Sequence, residues 1–172
     1  QDSISSYAKE RGWDIKLLKK YQIGAIANYK QFSSYMTDTY DSKILNSIGF
    51  FTNKSSMFSE NRIIFTIHDP NGRPVGFTGR ILKDDDSSSK YINSVNSSIF
   101  KKSDLLYNLH RAKNDMAKNL YNTLYIVEGQ ADVVALANQG LTTSVAISGT
   151  SFTDPHVELI RDFDNIVVCL DA

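Results

Sequence analysis

Apolar side chains along this chain change their spacing several times. Over residues 3–20 the spacing is helical, with Ser3 or Ser5 as candidate caps and a break at Gly12. Asp14 then caps a second segment carrying Ile15, Leu17, Leu18 and Tyr21, which Gly24 is expected to end. Residues 29–48 repeat Phe32, Tyr35, Met36, Ile44, Leu45 and Ile48 at roughly helical intervals around a polar interruption, with Gly49 as a stop. From residue 62 the period falls to two. Ile63, Phe65 and Ile67 alternate with Ile64, Thr66 and His68, Pro70-Asn71-Gly72 supplies a turn, and Val75, Phe77 and Ile81 resume the run, which predicts a β-hairpin over 62–82. Gly76 and Gly79 lie where a strand prefers bulk, so a bulge or a close approach of another backbone or a ligand is expected there. Residues 84–89, with Asp84, Asp85 and Asp86, read as a solvated loop, and 103–119 as a helix with Leu105, Leu106, Leu109 and Met116 on its apolar side.

A regular alternation begins at Thr123. Apolar 124–127, a helix over 131–138 closed by Gly140, apolar 145–147, a helix over 154–163 and apolar 166–170 together predict βαβαβ. Asp154 is the expected N-cap of the second helix and Pro155 its first residue. Continuous apolar strands separated by helices suit a parallel sheet covered on both faces, and such sheets bind ligands at the carboxyl ends of their strands. Those ends carry Glu128-Gly129, Ser148-Gly149-Thr150 and Asp171. The expected class is thus mixed α+β and α/β: a hairpin-and-helix subdomain over 1–120, then a βαβαβ parallel sheet over 121–172.

Composition narrows the function classes. The 172 residues are 41% hydrophobic and 22% charged, enough apolar material for a buried core. Cys169 is the single cysteine and has no disulfide partner, and His68, His110 and His156 lack the Cys/His spacing of a zinc site, so no zinc is expected in this segment. No basic leader followed by an apolar run and no stretch of about 18 apolar residues occurs, which predicts a cytoplasmic chain without membrane contact. The zero net charge hides a division. Residues 1–120 hold 18 Lys and Arg against 12 Asp and Glu, while 121–172 hold 1 against 7. A basic front and an acidic back suit phosphates and cations respectively, although such an excess is equally compatible with an ordinary solvated surface.

Glu128 and Asp171 follow two different strands, and Asp132 lies one helical turn beyond Glu128. Carboxylates brought that close repel one another, and a divalent cation relieves the repulsion; an all-oxygen set suits Mg²⁺ or Mn²⁺. Glu128 and Asp132 equally suit a helix N-terminus, and Asp171 the start of a loop, so the residues alone leave both readings open. The nine Tyr and nine Phe could stack on single-stranded bases, but Phe65, Phe77, Phe100 and Tyr107 fall in apolar patterns and are expected in the core. His110 and His156 are expected at the surface or at helix ends.

Three blocks of this region, Glu128-Gly129-Gln130-Ala131-Asp132, Ala146-Ile147-Ser148-Gly149-Thr150 and Ile166-Val167-Val168-Cys169-Leu170-Asp171, resemble the TOPRIM domain of DnaG-type primases, type IA and II topoisomerases and some nucleases. Upstream, 72–80 (Gly72 to Arg80), Lys90-Tyr91-Ile92-Asn93-Ser94, Ile99-Phe100-Lys101-Lys102 and Leu106-Tyr107 resemble the N-terminal core subdomain of bacterial and phage DnaG-type DNA primases. Arg11-Gly12, Ile23-Gly24 and 62–65 extend the likeness almost to the start. The family's second acidic motif is Asp-x-Asp, and this chain stops at Ala172, so an incomplete TOPRIM domain and a fragment of a larger catalytic core are expected.

The resemblance implies an enzyme that joins ribonucleoside triphosphates into short RNA primers on single-stranded DNA. It also implies a replicative helicase partner engaged through a region outside this segment. Under it, Glu128 and Asp171 are catalytic, Glu128, Asp132 and Asp171 hold Mg²⁺ or Mn²⁺, and Arg62, Arg80, Lys90, Asn93 and Lys102 meet nucleotide or DNA, Arg80 first because a guanidinium forks onto phosphate oxygens. The rival expectations are another TOPRIM enzyme, a nuclease or topoisomerase, and a noncatalytic single-stranded-DNA-binding module.

Overall fold

The computed structural model describes residues 2–48, 50, 58–82, 89–119, 122–149 and 151–170. Asp84, Asp85 and Asp86, Gly49, Thr150 and Asp171 lie outside the described residues. The chain forms two compact units, one comprising Gln1–Thr66 and Gly76–Phe100, the other Ile67–Val75 and Lys101–Ala172.

In the first unit, α1 (Asp2–Glu10) and α2 (Ile15–Lys20) are separated at Gly12, whose φ of 66° a side chain would oppose. Asp14 caps α2 by accepting from the Leu17 N–H at 2.7 Å. The chain then enters a short strand, β1 (Ile23–Ala25), where a helix stop was expected at Gly24. Antiparallel pairing with β2 (Arg62–His68), Ile23 opposite Phe65, supplies hydrogen bonds that a three-residue segment cannot make for itself. Next come α3 (Tyr29–Thr39) and α4 (Ser42–Ser47), capped by the Asn28 and Asp41 side chains. The hairpin pairs β2 with β3 (Pro74–Ile81), and β4 (Tyr91–Asn93) completes a sheet of order β1-β2-β3-β4. Gly72 takes the left-handed turn position at φ 82°. Trp13 packs edge-on against Tyr7 and Phe65, and Phe32, Phe50, Phe58 and Phe77 form a second aromatic group. The close approach expected at Gly76 is an aromatic side chain rather than backbone: a Cβ there would lie 2.6 Å from the Phe100 ring.

In the second unit the expected helix over 103–119 begins only at Leu109. Residues Lys102–Asp104 form a 3₁₀ turn, and α5 spans Leu109–Asn119. Between them Tyr107 pairs with Ala146 through backbone bonds in both directions, and the Asn108 amide donates to the Ser144 carbonyl, so tertiary pairing overrides the helical spacing of Leu105 and Leu106. The sheet has the order β6-β5-β7, all parallel, from β5 (Thr123–Val127), β6 (Ser144–Ala146) and β7 (Asn165–Cys169). Connecting helices α6 (Gln130–Asn138) and α7 (Asp154–Ile160) complete βαβαβ. Thr153, not Asp154, is the N-cap of α7, with Asp154 and Pro155 in its first turn. Leu106, Leu109, Ala112, Leu124, Ile126, Val145, Ile160 and Phe163 form the core of this unit, whereas β7 is exposed throughout.

Candidate metal and nucleotide site

At the carboxyl end of β5 the buried run Ile126-Val127 gives way to exposed Glu128, and Gly129 opens α6. Asp132, also exposed, turns its Oδ2 back to accept from the Gly129 N–H at 3.0 Å, which fixes the first turn of α6 and holds the carboxylate beside the same strand end. After neighbouring β6 the chain turns through Ser148 and Gly149, both left-handed at φ 58° and 71°. A serine in that region is strained, and two bonds hold it: its N–H donates to the Glu128 carbonyl at 3.0 Å, and its hydroxyl accepts from the Gln130 side chain at 2.9 Å. Gln130, 1% exposed, thus ties the two strand ends together. Sequence reasoning missed it, and its only signal was a polar residue at a helix start.

Lys102 comes to the same edge from the 3₁₀ turn. Its Nζ donates to the Gly149 carbonyl at 3.3 Å, and a Cβ on Gly149 would lie 3.8 Å from that nitrogen. Half-buried there, the ammonium is pushed below its usual pKa by desolvation. Lys102, Ser148 and the Glu128 backbone are thereby brought to one sheet edge. Glu128 and Asp132 are exposed oxygen donors four residues apart in sequence, a chemistry that fits a hard divalent cation, and Asp171, expected to complete the set, lies outside the described residues. Among the described residues no group of three or more His, Cys, Asp or Glu side chains gathers.

The other candidates belong to the first unit. β3 and β4 place Thr78 opposite Asn93 and Arg80 opposite Tyr91, so alternate residues of the two strands share a face. Thr78 donates to the Asn93 side-chain oxygen at 2.7 Å. The Arg80 guanidinium donates to the Ile81 carbonyl at 3.1 Å and lies 5.1 Å from the Tyr7 ring centroid and 5.9 Å from that of Tyr91. Lys90 is exposed at the start of β4. Arg62 is 2% exposed: it donates to the carbonyls of Gly79, Lys90 and Ser89 at 3.3, 3.5 and 2.9 Å, and burial lowers its pKa. A hollow of about 390 Å³ in this unit, lined by Ile23, Ile26, Phe32, Phe58 and Phe77 among others, is mainly apolar and includes none of these basic residues.

Comparison with known proteins gives this arrangement a family. Residues 1–113 match the N-terminal domain of the DNA primase catalytic core, and residues 122–172 match the Toprim domain. The DNA primase of Geobacillus stearothermophilus is 31% identical over 173 residues, covering 96% of this chain and 28% of its own length. The chain therefore spans little more than a quarter of that relative. The RNA polymerase domain of Mycobacterium tuberculosis primase DnaG superposes with a TM-score of 0.83 at 26% identity, over 99% of this chain and 59% of that one. A DnaG primase catalytic domain bound to single-stranded DNA superposes at 0.78 with 32% identity, over 97% and 55%. With a family match over most of its length and the fold to go with it, this chain belongs to the DnaG-type DNA primases, as part of their catalytic core.

Proposed function

We propose that this chain is the part of a primase core that joins ribonucleoside triphosphates on a single-stranded DNA template. The observation that carries the reading is the meeting of Lys102 with the Glu128–Ser148–Gly149 edge, an ammonium beside the strand end that bears an exposed carboxylate. Membership of the Toprim family implies a divalent cation, which we take to be Mg²⁺ or Mn²⁺ held by Glu128, Asp132 and Asp171. When bound, it neutralises charge on the phosphate oxygens. In the reaction a 3′-hydroxyl oxygen bonds to the α-phosphorus of the incoming nucleotide, the bond to the bridging oxygen breaks, and pyrophosphate leaves with that electron pair. Glu128, exposed at its strand end, is the candidate acceptor of the hydroxyl proton.

Lys102 supplies a point charge for a triphosphate, and a phosphate oxygen in place of the Gly149 carbonyl strengthens its hydrogen bond. Exposed Lys90 and half-buried Asn93 lie on β4 and the turn before it, a surface suited to backbone phosphates, which carry no sequence information; Arg80, on neighbouring β3, is only 9% exposed and offers a phosphate no more than the edge of its guanidinium. The relative solved with single-stranded DNA supports a DNA partner. Buried Arg62 holds the backbone from which Lys90 projects. Residues 1–120 act as the basic subdomain and 121–172 as the cation-holding one. A cytoplasmic setting accords with replication, and no helix among the described residues is long and apolar enough to cross a membrane.

The test is template-directed dinucleotide synthesis by the full-length protein with Mg²⁺ or Mn²⁺, alongside Glu128→Gln. Product that disappears in the folded variant supports the reading. Product retained by the variant removes Glu128 from the chemistry, and none from the wild type redirects the assignment to a single-stranded-DNA-binding module or another Toprim activity.

A further inference from the structure

Lys102 stands on a turn that cannot orient itself. The 3₁₀ segment has three residues, its backbone bonds are Asp104 N–H to Lys101 carbonyl at 3.0 Å and Leu105 N–H to Lys102 carbonyl at 3.4 Å, and no side chain caps it. The Lys101–Asp104 ion pair at 2.8 Å is solvent-exposed and adds little. A firmer tie comes from the N-cap of α7: the Thr153 hydroxyl donates to the Ser103 carbonyl at 2.8 Å across fifty residues of sequence. Thr153 is itself held, because its N–H donates to Nδ1 of His156, which is 0% exposed and packs 5.4 Å from the Phe152 ring. Burial keeps that imidazole below its usual pKa, and the Leu105 carbonyl and Asp104 carboxylate, both at the far side of the same turn, oppose the shift. Ile160 then anchors α7 in the core.

We propose that Thr153, backed by His156, is a positioning residue for nucleotide binding, fixing the turn so that the Lys102 ammonium stays at the Gly149 edge. The inference rests on the assignment of Lys102 to a nucleotide phosphate. A rigid link from core to α7 to turn restricts the lysine before substrate arrives, so less ordering is left to oppose binding. Without the hydroxyl, the Ser103 carbonyl loses its partner and the turn is free to rotate the lysine away.

The experiment is a double-mutant cycle in the full-length protein, reading KM for ATP and kcat on poly(dT), with thermal melts of every variant. Lys102→Met should raise KM about tenfold. Thr153→Val, nearly isosteric but without the hydroxyl, should raise KM about fivefold with kcat within twofold, Thr153→Ser should restore it, and Thr153→Val should add nothing in the Lys102→Met background. If Lys102→Met leaves KM unchanged, the assignment of Lys102 falls and this inference with it. If Lys102→Met acts as expected, three results each overturn the inference alone: no effect of Thr153→Val, its full effect persisting beside Lys102→Met, or no rescue by serine. Should Thr153→Val melt far below the wild type, the same cycle with Thr153→Ala decides on the same criteria.

Discussion

Arg62 carries a full charge, buried at the head of an apolar strand, and its surroundings explain why it is tolerated: three backbone carbonyls receive its guanidinium. Arg62→Met keeps the volume but leaves those carbonyls without their donor, and we expect a loss of about 3 kcal/mol in urea unfolding with an unchanged m-value. His110 is a second residue whose environment decides its behaviour. Its ring lies 4.6 Å from that of His68, and burial, Arg111 and His68 push its pKa down to about 4 against the pull of Asp69. Because the folded-state value lies below the unfolded one, the unfolded chain binds the extra proton between them. Stability from this group is therefore complete above about pH 6.5 and is lost as pH falls toward 4. Melting temperatures over that range should fall less steeply for His110→Gln than for the wild type. Nothing in the pattern of apolar positions marked either residue, since both effects depend chiefly on burial and on groups that folding brings in from distant parts of the chain.

Strands and helices respond to substitution according to what lies across from them. Gly76 in β3 faces the buried Phe100 ring, with 2.6 Å from an added Cβ to the nearest ring carbon, whereas Gly24 in β1 has nothing within 4 Å. Gly76→Ala should cost about 1–3 kcal/mol because the ring has no space to yield, and Phe100→Leu beside it should recover part of that loss. Gly24→Ala should be neutral or stabilising by up to about 1 kcal/mol, since it stiffens the unfolded chain and meets no obstacle. Paired urea titrations of the two alanine variants check both. The hairpin, helix α2 with its Asp14 cap, helix α6 before Gly140 and all three parallel strands were legible from periodicity and from Gly, Asp and Asn punctuation. The strands β1 and β4 were not, because Ile23-Gly24-Ala25 and Tyr91-Ile92-Asn93 lack the apolar run that marks the equally short β6, and they form only by pairing with β2 and β3.

Across the whole molecule the charge division has a measurable consequence. If the basic part carries phosphate contacts, affinity for single-stranded DNA should fall linearly on a log–log plot against salt, with a slope of about −0.7 per contact. Arg80→Ala and Lys90→Ala should each make that slope shallower by about 0.7. Unchanged slopes in both variants, measured by fluorescence anisotropy, would remove these two side chains from the DNA surface. The charge count suggests a phosphate-facing front, yet it does not separate Arg62, whose cation is spent on backbone, from Lys90, whose cation is exposed.

Local order in the chain was sufficient for the βαβαβ alternation, the hairpin, and the placement of Glu128 and Ser148 at strand ends, because a parallel sheet obliges residues after its strands to gather at one edge. The joint motifs were likewise sufficient for the family. Which side chains complete that edge was a tertiary matter: Lys102 reaches Gly149 across 47 residues, Gln130 reaches Ser148 across 18, and Thr153 reaches Ser103 across 50. A periodic pattern records only which face of an element is apolar. Contacts between polar atoms far apart in sequence arise when cores close, and only folding brings those atoms within hydrogen-bonding distance.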